Sequence, residues 1–450
     1  MTEPLLLAVD QGTTGTTCLL VRPDGSIARR AYREVPVSYP RPGWVEQDPE
    51  DLWVSVASAA AEVCEGMATR PAAIGITNQR ETVVVVERGS LRPVAPAIVW
   101  QCRRSAGICE EHRAAGEEPE LRRRTGLLLD PYFTATKIEW LLRERPELRA
   151  RAERGELLAT TVDGWLVARM TGGRALAVDA GNASRTLLYD LAGGDFDPEL
   201  CAVFGIPHRM LPPVVGSAEQ VGTTDPYLFL GMSVPIAGIA GDQQAALFGQ
   251  ACVRPGMAKN TYGTGSFVLV NAGAEPVAPG PGLLTTVAWR IGGADTFALE
   301  GSIFTTGAAL RWLRDGIGLI RSYDEVGPLA ETVPDTGGVH FVPALAGLGA
   351  PFWDPDARGA FVGMTAGTTR AHLVRAVLES MTLRTRDVVE AMEASGAPAF
   401  AELRVDGGAS VIDALCRWQS DLLGIPVARA ATAETTAVGA AMLAAVGVGL

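Results

Sequence analysis

Gln11-Gly12-Thr13-Thr14-Gly15-Thr16-Thr17 follows a run over residues 5–10, apolar up to its closing Asp10, and leads into a second over 18–22. Both runs read as strands, and Pro23-Asp24-Gly25 reads as the turn that closes the second. A strand that returns at once as another strand is a hairpin start, unlike the strand-to-helix turn of a P-loop. Residues 257–262 and 267–271 repeat the pattern around Gly263-Thr264-Gly265-Ser266. Each half of the chain therefore carries a strand, a Gly/Thr tip and a strand. This predicts a duplicated α/β domain with a cleft between the copies.

Other segments fit between these hairpins. Residues 48–67 have helical periodicity and open with Asp48-Pro49, a cap and a first-turn proline. Strands are predicted over 72–77, 82–87 and 97–100, and helical stretches within 103–124 and 137–154. In the second half, 234–239 reads as a strand ending in Ala240-Gly241-Asp242-Gln243-Gln244, with a helix through Phe248. Residues 370–395 form a long amphipathic helix. A strand over 403–405 ends in Asp406-Gly407-Gly408. The Ala/Gly-rich residues 436–450 are too short for a membrane span and read as a helix packing closely within the fold.

Composition narrows the function classes. A chain of 450 residues that is 47% hydrophobic can bury the cores of two domains. The formal net charge of −12 argues against nucleic acid and anionic membrane surfaces as partners. Seven cysteines without a CxxC pair give neither a disulfide framework nor metal-ligand spacing. With no basic region and signal-peptide core at the start, a reducing cytoplasm is expected.

The chemistry is carried by strand ends. Arg80 and Glu81 follow the strand at 72–77 and present a cation and an anion to the same space. A polyol hydroxyl donates to a carboxylate and accepts from a guanidinium, so the pair suits a small polyol. An ordinary ion pair at a strand end would look the same. Asp242 is either a helix N-cap or a carboxylate placed to take a hydroxyl proton. The two Gly/Thr tips bring backbone N–H groups and hydroxyls toward a phosphate chain, or are only turns. Asp10, at a strand end before the first tip, is placed to hold Mg²⁺ directly or through water.

Taken together, DQGTT at 10–14, GITNQRET at 75–82, IVWQCRR at 98–104, DPYF at 130–133 and NASRT at 182–186 resemble the glycerol-phosphorylating branch of the FGGY carbohydrate kinase family. GIAGDQQAALFGQ at 238–250, AKNTYGTG at 258–265, GLGAP at 347–351 and RVDGGA at 404–409 extend the likeness to the second half. The resemblance implies an actin/hexokinase/Hsp70-like, ribonuclease H-like fold of two domains, 1–237 and 238–450, with a catalytic interdomain cleft. It implies ATP-dependent phosphorylation of glycerol to sn-glycerol 3-phosphate with Mg²⁺. By the same resemblance, Arg80, Glu81, Tyr132, Asp242 and Gln243 bind glycerol hydroxyls, and Trp100 and Phe267 wall its carbon chain. Asp242 is the general base and Asp10 the Mg²⁺-associated carboxylate. Thr13, Thr14, Thr264, Gly265, Gly307, Arg311 and Gly408 match nucleotide-side positions. A homo-oligomer, dimer or tetramer, is implied as well.

Some positions depart from the family pattern. Thr17 stands where a basic residue usually ends the first tip, Arg311 where glutamine is common, and Ile412 where asparagine is common. The loop 222–233 lacks the Gly-Gly-Thr-Arg stretch tied to fructose-1,6-bisphosphate control and the histidine phosphorylated by the sugar phosphotransferase system. Neither control is expected, nor is the regulatory contact that some relatives make through residues beyond this chain's Leu450. The alternatives are a kinase for another small polyol or ketose, or a ligand-binding regulatory relative with little activity.

Overall fold

The computed structural model describes residues 3–67 and 69–450. Leu6–Gln11 and Gly15–Val21 pair antiparallel, with Asp10 opposite Thr17 and Gly12-Thr13-Thr14 at the tip. Ile27–Glu34 adds antiparallel on the outside of Gly15–Val21. On the other side of Leu6–Gln11 lie Ala73–Asn78 and then Pro235–Gly241, both parallel. The short Gly222–Thr223 closes that edge. The registers Asp10↔Thr77 and Asn78↔Gly241 align the carboxyl ends of three neighbouring strands. Ligands of α/β sheets bind beyond such ends.

A second sheet runs Leu284–Ile291, Ala294–Ile303, Ser266–Gly273, Met257–Tyr262, Glu402–Asp406, Val427–Arg429. Met257–Tyr262 is antiparallel to Ser266–Gly273 and parallel to Glu402–Asp406, with Thr261 opposite Asp406. In both sheets the strand before the Gly/Thr tip has antiparallel neighbours on one side and parallel ones on the other. The repeat expected from the two tips is thus present in the strand order.

The chain divides into two compact units. The first comprises residues up to Gly249 with Thr286–Thr296 and Thr436–Leu450; the second comprises Gln250–Thr285 and Phe297–Thr435. Residues 238–249, grouped with the second half in the sequence reading, pack in the first unit because Pro235–Gly241 is an inner strand of its sheet. The helix Pro49–Cys64, capped by Asp48 accepting from the Glu50 N–H, covers one face through Leu52, Val56, Ala59 and Val63. The other face meets the small-residue helix Thr435–Gly447, whose Ala437, Ala441 and Ala444 pack on Leu6, Ala8, Ala73 and Ala237. A Cβ on Gly439 would lie 1.9 Å from the Ala245 carbonyl oxygen, and one on Gly75 2.1 Å from that of Ala440. The close packing expected of this helix is therefore backbone against backbone. In the second unit the helix Arg370–Ala394 sends Val374, Val377, Leu378, Met381 and Met392 into the core.

Two long helical stretches are each broken. Ala106–Ala114 and Glu118–Thr125 are separated around Gly116, which sits at φ 79°. Thr134–Glu144 ends at Arg145, which Pro146 keeps out of helical geometry (φ −128°, ψ 74°). His112 fastens the first of these helices. Its Nε2 meets Glu139 Oε2 at 2.8 Å and its Nδ1 meets the Glu117 carboxylate. The bond to Glu139 leads in raising its pKa above the ordinary histidine value, with Glu117 adding to it. The imidazolium therefore stabilises the fold fully below the unfolded pKa of about 6.5, and this contribution fades as pH rises through the higher folded value. Between pH 6 and 9 the melting temperature of the wild type should fall relative to that of His112→Gln. Parallel profiles would show that the histidine carries no such linkage. No helix among the described residues is long and apolar enough to cross a membrane.

Candidate active site

The aligned strand ends of the first unit bring together residues distant in sequence. Arg80 and Glu81 follow Ala73–Asn78, and Asp242 follows Pro235–Gly241. Arg80 is 3% exposed and Glu81 1%, so the pair sits inside the protein. Arg80 Nε lies 3.2 Å from Asp242 Oδ1 and 3.9 Å from Glu81 Oε1, and its Nη1 donates to Gln244 Oε1 at 3.2 Å. Gln244 is held in turn by Thr286 and the Val287 carbonyl, both at 3.3 Å. Arg80 is thereby aimed from two directions. Asp242 differs in that its side chain is 34% exposed, so a carboxylate oriented by a buried guanidinium remains open to a ligand. It also accepts from the Gln243 N–H at 2.8 Å, which places Gln243 beside it.

An aromatic wall stands by this group. Trp100 and Tyr132 meet edge to face with centroids 5.6 Å apart. The Trp100 indole Nε1–H donates to Thr13 Oγ1 at 2.9 Å, tying the wall to the first Gly/Thr tip. The tip is further fixed by Gln47 Nε2 on the Thr13 carbonyl at 2.7 Å, and Gln79 donates to Gln47 at 2.8 Å. Tyr32 stands over Gly15, where a Cβ would come within 2.3 Å of its hydroxyl, and bonds the Thr14 carbonyl at 3.3 Å. Thr14 itself is exposed at the tip. Asp10 lies on Leu6–Gln11, cross-strand from the buried Thr17, which in turn pairs with Tyr32.

The second unit gathers another set. The N–H groups of Thr306 and Ala308 donate to the Thr264 carbonyl at 3.0 and 2.9 Å, and that of Gly307 to the Gly263 carbonyl at 3.0 Å. Gly265 and Gly307 are required by close approach, since a Cβ would lie 2.2 Å from the Ile303 oxygen and 2.5 Å from the Gly263 oxygen. Gly408 begins a short turn after Glu402–Asp406, and a Cβ there would meet nothing within 4 Å. Phe267, opposite Thr261, is half-buried on the hairpin; Arg311, at the end of the short helix Gly307–Arg311, is exposed. Ile412 is buried in the apolar core and offers no polar group there.

Three contributors escaped the sequence reading. Arg185 Nε donates to Glu81 Oε1 at 2.7 Å. Lys137 donates to the Glu81 and Phe133 carbonyls at 3.3 Å and to that of Tyr132, and burial lowers its pKa to about 8. Gln244 orients Arg80. Arg185 and Gln244 lie in NASRT and GIAGDQQAALFGQ, and Lys137 opens the helical stretch after DPYF, but only their burial and partners reveal what they touch.

Comparisons with known proteins agree along the whole chain. Residues 5–249 match the model of the FGGY family of carbohydrate kinases, N-terminal domain, and residues 258–448 match that of its C-terminal domain. The glycerol kinase of Carboxydothermus hydrogenoformans is 53% identical over 452 residues, covering 100% of this chain and 90% of the relative. That of Thermus thermophilus is 50% identical, covering 99% and 90%. Among solved structures, glycerol kinase of Plasmodium falciparum with ADP matches at TM-score 0.94 and 33% identity, covering 99% of this chain and 90% of that one. A gluconate kinase from Lactobacillus acidophilus shares the fold at TM-score 0.91 and 20% identity, over 100% of this chain and 90% of that one. With both family models matched in order over nearly its full length, the chain belongs to the FGGY family of carbohydrate kinases.

Proposed function

We propose that the protein phosphorylates glycerol to sn-glycerol 3-phosphate at the expense of ATP, acting in the cytoplasm. The observation that carries this reading is the buried Arg80–Glu81 pair placed against the open carboxylate of Asp242. Glu81 accepts from polyol hydroxyls and Arg80 donates to them. Trp100 and Tyr132 supply an apolar wall for a short carbon chain; for Phe267 the same role rests on the family resemblance alone. Asp242 takes the proton of the reacting hydroxyl as the phosphoryl group is transferred. Thr13, Thr14, Thr264 and Gly265 offer hydroxyls and backbone N–H groups to the phosphate chain, and Gly307, Arg311 and Gly408 lie on the nucleotide side.

The donor set fits a magnesium ion that arrives with the nucleotide. No group of three or more His, Cys, Asp or Glu among the described residues makes an all-protein metal site. Mg²⁺ is commonly bound through one or two carboxylates plus substrate phosphates, and Asp10 beside the first tip suits that share. When bound, the ion offsets negative charge on the phosphates.

The test is ADP release with Mg·ATP and glycerol, run beside dihydroxyacetone, erythritol, xylulose and a control without acceptor. Preference for glycerol supports the reading. Preference for xylulose would move the protein to another branch of the family. Thr17 offers a further check. Thr17→Arg adds a cation cross-strand from Asp10 and is expected to raise kcat by up to about 10²-fold, the worth of one electrostatic donor at a transition state. An unchanged kcat would mean that another group already fills this role.

A further inference from the structure

We propose that Arg185 is a positioning residue for the polyol site: with Lys137, it locks Glu81 and Tyr132 into one rigid binding element. The inference rests on the glycerol reading for the role of Glu81 and adds residues to which no role has been given. Glu81 sits at φ 60°, a left-handed conformation that residues with a Cβ adopt at a cost. Several bonds hold it there. Arg185 Nε grips Oε1 at 2.7 Å, while Thr134 Oγ1 and Lys137 Nζ donate to the Glu81 carbonyl at 3.2 and 3.3 Å.

The same two cations reach Tyr132. The Arg185 guanidinium stands 5.7 Å from the centroid of the Tyr132 ring and 5.3 Å from that of Phe133. Lys137 Nζ donates to the Tyr132 carbonyl. Residues 81 and 132 are thus joined through shared partners. Arg185 is itself well anchored. It follows the helical turn Ala180–Ala183, which is capped by Asp179, and Asn182 exchanges side-chain hydrogen bonds with Asn78 at 3.0 and 3.1 Å.

Burial decides between a structural filler and a tuned device. Arg185 is fully buried, and a buried guanidinium persists only with a matching anion. That anion is Glu81. Glu81 is flanked by Arg185 and Arg80, and a carboxylate so placed accepts hydrogen bonds from polyol hydroxyls. A neutral side chain in place of Arg185 should loosen the geometry and charge of Glu81 without touching the nucleotide side.

The experiment is a double-mutant cycle of Arg185→Met and Glu81→Gln in the full chain. It uses whichever polyol the wild type turns over fastest, so a wild type that prefers another polyol overturns the glycerol reading while leaving this test intact. Arg185→Met is expected to raise the polyol KM by about 10- to 100-fold, the worth of a charged hydrogen bond, with the ATP KM within about twofold. In the Glu81→Gln background it should add little further, because both changes break one unit. Effects that multiply, or a parallel rise in the ATP KM, would overturn the proposal. Should Arg185→Met fail to fold, Arg185→Lys decides. It keeps the charge but loses the planar fork, so an elevated polyol KM with unaltered melting is expected. A wild-type KM in that variant overturns the proposal equally.

Discussion

Asp242→Asn is expected to lower kcat by roughly 10²–10⁴-fold while glycerol affinity stays within about tenfold. The amide preserves shape, and its oxygen can still accept from Arg80 Nε across the 3.2 Å now spanned by the carboxylate. Gln244 continues to hold Arg80 from the other side. What the amide lacks is a basic oxygen for the hydroxyl proton. Single-turnover rates beside calorimetric glycerol binding separate the two effects. Near-normal turnover would place the base elsewhere. A collapse of binding together with turnover would mean that the negative charge mainly serves to keep Arg80 in place.

Gly439→Ala is expected to destabilise the protein by about 1–3 kcal/mol, the usual cost of overpacking a filled interior. Its Cβ would fall 1.9 Å from the Ala245 oxygen and 2.9 Å from the Gly249 nitrogen. Both are backbone atoms, so no flexible side chain can yield. They belong to the helix Asp242–Gly249, which begins at the proposed base. A shift there moves Asp242, so kcat should drop together with the urea midpoint. Gly89→Ala is the control, because a Cβ at Gly89 meets nothing within 4 Å. Equal midpoints for the two variants would show that the helix can retreat without loss.

The local punctuation of this chain was plain in its sequence. Both Gly/Thr hairpins, the Asp48-Pro49 helix start and the strand leading to Arg80 follow from residue types a few positions apart. The alignment of Asp10, Arg80 and Asp242 was less accessible, because it depends on register between strands more than sixty residues apart. The roles of Arg185 and Lys137 were hidden for another reason. A basic residue reads as exposed until the fold shows it buried, Arg185 against the Glu81 carboxylate and Lys137 against main-chain carbonyls. The breaks near Gly116 and at Pro146 were written in turn chemistry that a reading for helical period passes over. The assignment of Thr286–Thr296 and Thr436–Leu450 to the first unit has no local signal.

That last assignment bears on how the chain is made. The first unit needs a helix that begins at residue 435, so most of its sheet is synthesised long before one of its faces can be covered. At roughly 5–20 residues per second, the span from Gly249 to Gly447 takes on the order of ten to forty seconds to emerge from a ribosome. Throughout that interval the apolar face formed by Leu6, Ala8, Ala73 and Ala237 lacks its native cover. Nascent chains stalled before residue 436 should therefore bind holdase chaperones and yield to protease, whereas chains stalled after Gly447 has cleared the exit tunnel should resist.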